Sequence, residues 1–325
     1  MNDRVKCAVV GLGRIASLLE RDALREKPCT HLGAIAANPR CDLVAGADID
    51  QERRELFRDQ WGCEAVYERA EEMLAETRPH ILVVATHPDS HLRYVRAAAR
   101  EQVPVAICEK PLADTLRKAR GIARLHREGR ITVITNHERR YSADYIRSRE
   151  AVRDGRYGRL LSVTGTLYFG RTTRRDQMLL HDGTHLVDAV NFLTGSYVRF
   201  NGRYGSLRSR RGSTFLLGKA GEIPVCLEVG SERDHLVFEL ELSFESGRIR
   251  IGNGVESRER SEESPYYEGY RSLLPDPISA QGPTGYFANM IADAVACVDD
   301  SAREPRSSAL DAVEVMKFLR RRPFS

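Results

Sequence analysis

Residues 179–190, LLHDGTHLVDAV, set two histidines and two aspartates among apolar neighbours. His181, Asp182, His185 and Asp188 are residue types that hold and move protons near neutral pH, or bind a metal when enough of them converge. A helix that begins at Gly183, capped by Asp182, would carry His185 in its first turn. Asp188 would then sit one turn further along the same side. Leu186, Val190 and Leu193 would take the packed face. A histidine near a helix N-terminus has its protonated form disfavoured, which suits a neutral general base, and Asp188 can offset this by pairing with the ring. A metal reading of His181, His185 and Asp188 lacks a further ligand, so no metal is expected. The same stretch also reads as an ordinary amphipathic helix, so the other reactive groups of the chain must decide.

Lys110 is the second candidate. The chain has only six lysines, and this one follows an apolar run directly in VAICEKPLAD, next to Glu109 and Pro111. In open α/β sheets ligands bind beyond the carboxyl ends of the strands, so Lys110 would project toward one. Pro111 constrains its neighbour and is a candidate cis proline. The competing reading is a strand-end ion pair. A third group is CAVVGLGRIA, which places Gly11, Gly13 and Ala16 in the pattern G-x-G-x-x-A after an apolar run and at the opening of a helix. Such a loop allows a tight turn, close approach of a pyrophosphate and close helix packing, with Arg14 and Ile15 inside it. Asp48 ends the next apolar run, where an acid accepts the ribose hydroxyls of NAD and repels the 2′-phosphate of NADP. Arg53 and Arg54 follow and could reach that phosphate, so NAD is preferred with NADP as the alternative. A helix cap is the competing role for Asp48. Thr86 and His91, in ATHPDSH after another apolar run, are candidates to line the cofactor cleft, against a turn-capping role. Arg139, Arg140, Arg171, Arg174 and Arg175 could recognise an anionic substrate, although surface solvation is the commoner fate of arginines in a chain this rich in them.

These groups need a scaffold. The runs at 5–11, 42–48, 80–86, 103–108 and 131–136 read as buried strands alternating with helical patterns, which is the rhythm of βαβ units on a parallel sheet. After about residue 140 strands follow one another without helices between them, which implies an antiparallel sheet. The polar segment 252–282, with Pro265, Pro275 and Pro277, reads as a long loop. Two helices close the chain. Between Ala16 and Asp48 there are about ten residues more than this fold usually needs. The surplus falls on 18–30, as a lid, a pocket wall or an inert excursion.

Composition sets the outer bounds. A chain of 325 residues, 42% hydrophobic and 30% charged, supports two domains with real cores. A net charge of +4 without a basic patch argues against nucleic-acid binding. The seven cysteines have no C-x-x-C spacing and read as reduced thiols. No export segment or membrane-length apolar run is visible, so a cytoplasmic protein is expected.

The G-x-G-x-x-A start, the acid at Asp48 and the E-K-P at 109–111 together resemble the glucose-fructose oxidoreductase / inositol dehydrogenase / MocA family. NHERRYSADYIRSREAVRDGRYGRLLSV is similar to that family's entry into its second domain. GTHLVD is similar to its G-x-H-x-x-D helix, and SGRIRIGNG to its glycine-flanked late strand. The resemblance implies an α/β protein. An N-terminal Rossmann doubly wound parallel sheet (1–138) would precede an α+β substrate-binding and oligomerisation domain (139–325) on a large open, mainly antiparallel sheet. It implies a homodimer or homotetramer through that sheet and NAD(P)-dependent oxidation of a sugar, sugar derivative or cyclitol. Lys110 would contact the reacting oxygen and His185 act as the acid–base group, with the substrate hydroxyl between them. Gly11, Gly13, Ala16, Asp48 and Glu109 fall on the cofactor side, and His181, Asp182 and Arg140 on the substrate side. The family often has an aspartate four residues before the histidine; here His181 stands there and Asp182 is displaced by one. Two other functions share the fold: redox-cycling glycoside cleavage or elimination without net NADH, and a non-catalytic NAD-binding sensor.

Overall fold

The computed structural model describes residues 4–168, 174–277 and 282–319. They form two compact units, Met1–Ser142 with Thr284–Val313, and Ala143–Pro283 with Glu314–Ser325.

In the first unit, β1 (Val5–Val10), β2 (Cys41–Ala47), β3 (Val66–Tyr67), β4 (Ile81–Val84), β5 (Val105–Cys108) and β6 (Thr132–Thr135) pair in parallel in the order β3-β2-β1-β4-β5-β6. Every residue of β4 and β5 is buried, as expected of strands covered on both faces. The covering helices are α1 (His31–Ala37), α2 (Gln51–Trp61), α3 (Ala70–Thr77), α4 (His91–Arg100) and α5 (Leu116–Arg127). In α4, Val95 and Ala97–Ala99 turn inward while Arg93, Arg96 and Arg100 stay in solvent. The chain order reverses between β1 and β4, which puts a ligand crevice beyond their carboxyl ends.

Two expectations change here. Residues from 139 onward do not all belong to the second unit, because Thr284–Val313 returns to the first. The reason is apolar: Phe287, Met290, Ile291 and Ala294 of the late helix Tyr286–Asp299 pack into the same core as Val9, Ile81 and Ile107. The helix expected straight after the glycine loop is also interrupted. Ser17 N–H bonds Gly13 O at 3.0 Å and Leu19 N–H bonds Arg14 O at 3.0 Å, and the chain then leaves. It re-enters at α1, where Leu32 N–H bonds Ala16 O at 3.0 Å and His31 N–H bonds Ile15 O at 3.3 Å. The surplus at 18–30 is thus spliced into one helix between its first and second turns.

In the second unit, α6 (Ala143–Arg153), α7 (Arg175–His181) and α8 (Gly183–Thr194) accompany an eight-stranded sheet. Its strands are β7 (Leu160–Tyr168), β8 (Val198–Tyr204), β9 (Ser213–Ala220), β10 (Ile223–Gly230), β11 (Val237–Phe244), β12 (Gly247–Gly252), β13 (Val255–Glu263) and β14 (Arg271–Pro275). The order is β14-β13-β12-β11-β7-β10-β9-β8, antiparallel except for the β7–β10 pair. One face meets Leu186, Val190 and Leu193 of α8 in a continuous core. The opposite face carries Thr164, Cys226, Glu241 and Arg250, and Cys226 is therefore only half-buried, unlike the other six cysteines. The segment 252–282, expected as a long loop, instead carries β13 and β14, and its residues 278–281 lie outside the described residues. The sequence of these two strands lacks a regular apolar alternation; main-chain ladders to β12 and between the two strands hold them, with Arg248 of β12 paired across to Glu259 of β13.

Candidate active site

The carboxyl edge of the first sheet is built from the glycine loop. Gly11 has φ +86°, and a Cβ there would lie 2.6 Å from Ala85 O, so the end of β4 itself demands glycine. Gly13 differs, because the nearest protein atom to its Cβ position is Arg53 Nη1 at 3.6 Å. No protein contact requires glycine at that point, and the free space suits close approach of a pyrophosphate. Arg14 is exposed, Ile15 half-buried and Ala16 fully buried.

Asp48 directly follows β2, with its carboxylate turned into the glycine loop. Leu12 N–H donates to Oδ2 at 2.8 Å, Asp50 N–H donates to Oδ1 at 3.0 Å, and Arg53 Nη1 lies 3.6 Å from Oδ2. An ionised carboxylate accepts about four bonds, so capacity remains for ribose hydroxyls. The capping role falls to Asp50, whose side chain accepts from Glu52 N–H and Arg53 N–H. Arg54 is committed to Asp48 O at 2.7 Å, which leaves Arg53 as the adjustable cation. Ile49, 81% exposed, adds an apolar surface beside Asp48 that sequence reasoning did not use. This set fits a dinucleotide.

Thr86 hydroxyl pairs with Ser90 Oγ at 2.7 Å at the end of β4. His91 is fully buried, with Nε2 2.9 Å from Thr86 O and Nδ1 3.2 Å from Leu112 O. Burial pushes its pKa down and outweighs those carbonyls. A neutral ring donates to only one of the two, and the shorter contact is the better one. The expected cofactor contact is corrected: His91 braces the loops after β4 and β5 from beneath.

Glu109 and Lys110 follow β5, with a cis bond between Lys110 and Pro111. Glu109 is buried. His31 Nε2 lies 2.8 Å from its Oε1, Asn136 Nδ2 donates to the same oxygen at 2.6 Å, and Lys110 N–H donates to Oε2 at 3.2 Å. Burial alone would raise this carboxyl, but the bonds from His31 and Asn136 and the charge of Lys110 hold it below its ordinary value. Its carboxylate is thus committed to protein donors rather than turned to a ligand. Sequence reasoning missed His31 and Asn136. The polar first residue of the apolar helix HLGAIAA was the one available signal.

In the second unit α8 begins at Gly183, but Asp182 makes no side-chain cap. It stands in helical conformation, φ −102° and ψ −26°, and its N–H bonds Met178 O at 2.9 Å, so α7 runs into α8 through one residue. The expected capped start is therefore not built. Gly183 is called for by packing, since a Cβ would meet Leu179 Cδ2 at 2.7 Å. His185 is 7% exposed and Asp188 1%, both within a helix buried on all sides from Gly183 to Leu193. The side chain of His181 is 75% exposed, with Nδ1 3.1 Å from Asp182 Oδ1, so the two histidines stand in different surroundings.

Two of the candidate arginines, Arg140 and Arg175, are buried and held by the protein itself. Arg140, expected to bind substrate, is 5% exposed and held by Arg306 O at 3.0 Å and Asp311 at 3.1 Å within the first unit. Arg175 is fully buried, donating to Thr214 Oγ1 at 2.7 Å and Gly212 O at 2.9 Å among others. Arg174 pairs with Asp176, and Arg139 with Glu138 at 3.3 Å. Arg171 lies outside the described residues.

The comparisons with known proteins agree with this edge. A model of an oxidoreductase family with an NAD-binding Rossmann fold matches residues 5–137. A D-apiose dehydrogenase of Paraburkholderia graminis is 28% identical over 52% of this chain and 47% of its own. An inositol 2-dehydrogenase of Rubrobacter xylanophilus is 33% identical over 37% of this chain and 34% of its own. The chain thus spans about half or less of the length of these relatives. A dehydrogenase structure from Chromobacterium violaceum superposes with a TM-score of 0.79 at 14% identity, covering 98% of this chain and 94% of that one, and so shares the fold. Among the described residues no helix is long and apolar enough to cross a membrane.

Proposed function

We propose, from the premise that the chain belongs through residues 5–137 to the Gfo/Idh/MocA family of NAD-binding oxidoreductases, that it exchanges a hydride between nicotinamide and a hydroxyl or keto carbon. The substrate class is a sugar, sugar derivative or cyclitol, in keeping with the named dehydrogenases it resembles. The observation that carries this reading is the shared carboxyl edge of the first sheet, where the open space at Gly13, the carboxylate of Asp48 and the strand-end Lys110 stand beyond β1, β2 and β5.

Gly11, Gly13 and Ala16 would hold the pyrophosphate, and Asp48 the ribose, with NAD preferred because the carboxylate repels a 2′-phosphate. Bound there, nicotinamide supplies a two-electron hydride acceptor or donor at C4. Lys110 binds and polarises the substrate oxygen. His185 takes the hydroxyl proton during oxidation and returns it during reduction, for which a pKa near the working pH serves best. The open face of the second sheet is the surface through which a homodimer or homotetramer would form.

The test is NADH formation from NAD+ with a panel containing D-apiose, inositols and related sugars, for the wild type and for Lys110→Met and His185→Asn. A substrate in the panel should give stoichiometric NADH; His185→Asn should lower kcat about a hundredfold or more, as removal of a proton-transfer group does, and Lys110→Met comparably, through loss of the charge that polarises the oxygen. Product without net NADH would favour the redox-cycling reaction. Full turnover in both variants would refute the assignment.

A further inference from the structure

The buried polar group behind Lys110 has more structure than a strand-end ion pair needs. Glu109 carries its carboxylate out of solvent, and three donors converge on it: His31 from α1, Asn136 from the end of β6, and the main-chain N–H of Lys110. His31 itself is fully buried, and its ring meets the Phe287 ring edge-on at 5.0 Å and 87°. The spliced excursion is locked onto the turn that presents it. Glu20 accepts Thr30 Oγ1 at 2.7 Å and Cys29 N–H at 3.1 Å, and Thr30 caps α1 at Gly33 N–H at 3.0 Å. Glu26 accepts Gly285 N–H at 2.8 Å and Thr284 N–H at 2.9 Å, which fixes the far side of the excursion.

We propose that His31 is a positioning residue for the reaction, holding the Glu109 carboxylate and, through it, the main chain and charge environment of Lys110. This rests on the reading of Lys110 as a catalytic group. A carboxylate taken out of water stays ionised only while its lone pairs are filled, so each lost donor favours its neutral form and, near neutral pH, takes the negative charge away from the ammonium. The ionisable groups in the field of Glu109 are His31 on α1, His91 on α4, Cys108 on β5 and Lys110 itself. Of these, His31 and Lys110 are the two whose bonds reach the carboxylate. The ring nitrogen facing the carboxylate carries the hydrogen, and a glutamine amide could supply the same donor.

The readout is the rate of Lys110 acetylation by acetic anhydride at neutral pH, followed by mass spectrometry against the other five lysines as internal references. In His31→Leu the acetylation of Lys110 at neutral pH should quicken up to about tenfold relative to the reference lysines, because a carboxyl that has lost a donor and turned neutral no longer holds the ammonium. His31→Gln should stay close to wild type. Glu109→Gln, which keeps the shape and removes the charge, should match His31→Leu and carries the test where the leucine variant fails to fold. An unchanged Lys110 acetylation rate in a folded His31→Leu or in Glu109→Gln, or an equal gain in His31→Gln, would overturn the proposal. The labelling needs no turnover, so NADH formation persisting in Lys110→Met would count against the catalytic reading alone.

Discussion

Replacing Gly13 with alanine, with Gly11→Ala as its internal contrast, separates what the glycine loop does for the fold from what it does for a ligand. At Gly11 the added methyl meets Ala85 O at 2.6 Å and Ala85 C at 2.7 Å, both main-chain atoms that cannot rotate away. The backbone also sits at φ +86°, where an L-residue costs about 1–2 kcal/mol. The clash adds an overpacking cost of roughly 1–3 kcal/mol. Gly11→Ala should therefore destabilise the first unit by about 2–5 kcal/mol, read as a fall in Tm of roughly 2–4 °C per kcal/mol for a domain of this size. At Gly13 the methyl finds its nearest neighbour, Arg53 Nη1, at an ordinary 3.6 Å, and the backbone is outside the left-handed region. Stability should then hold or rise by about 0.4–1 kcal/mol, because alanine narrows the unfolded ensemble. NAD+ affinity by calorimetry should nevertheless drop at least tenfold, since the methyl fills the space left for the pyrophosphate. Wild-type NAD+ affinity in Gly13→Ala would refute the assignment of that space. A loss of more than about 1 kcal/mol in Gly13→Ala would refute the claim that the protein leaves it open.

Two further substitutions probe the buried polar groups. The carboxyl of Glu109 is depressed in the folded protein, so the stability it contributes is present above the pKa of a free glutamate, about 4.3, and is lost as pH falls through its lower folded value. Unfolding curves of wild type and Glu109→Gln should accordingly draw together below about pH 4.3, and a constant gap down to the acid limit would show that Glu109 is not depressed. Arg175→Met removes a buried guanidinium that donates to main-chain oxygens of Ser206, Arg211 and Gly212 and to Thr214. Stranding those acceptors should cost the second unit about 3–5 kcal/mol in urea unfolding, and a loss under about 1 kcal/mol would disprove the structural role.

Much of the site was legible because it obeys local rules. A glycine loop after a buried strand, an acid at the next strand's end and a lysine after a four-residue apolar run each follow from short-range sterics and sheet burial, and all three stand at the carboxyl edge of one parallel sheet. The surplus at 18–30 was legible by length alone. Its manner of insertion was not, because Leu32 bonds Ala16 across a gap that no periodicity bridges. Arg140 and His91 were misjudged for a related reason: a polar side chain in sequence says nothing about whether Asp311 or Thr86 O will claim it. The strand Val255–Glu263 was invisible to apolar patterning because its residues are mostly polar and main-chain ladders to both neighbours, with the Arg248–Glu259 pair, hold it.

By itself the sequence determined the class of each unit and which strand ends carry reactive groups, since burial periodicity and turn chemistry act over a few residues. Tertiary structure alone decided which of those groups stay open at the strand ends and which are walled in. It joined His31 to Glu109 across 78 positions, and it returned Tyr286–Asp299 to the first core. Those outcomes depend on partners distant in the chain, and the free energy of a buried polar group is set by such partners rather than by its own residue type.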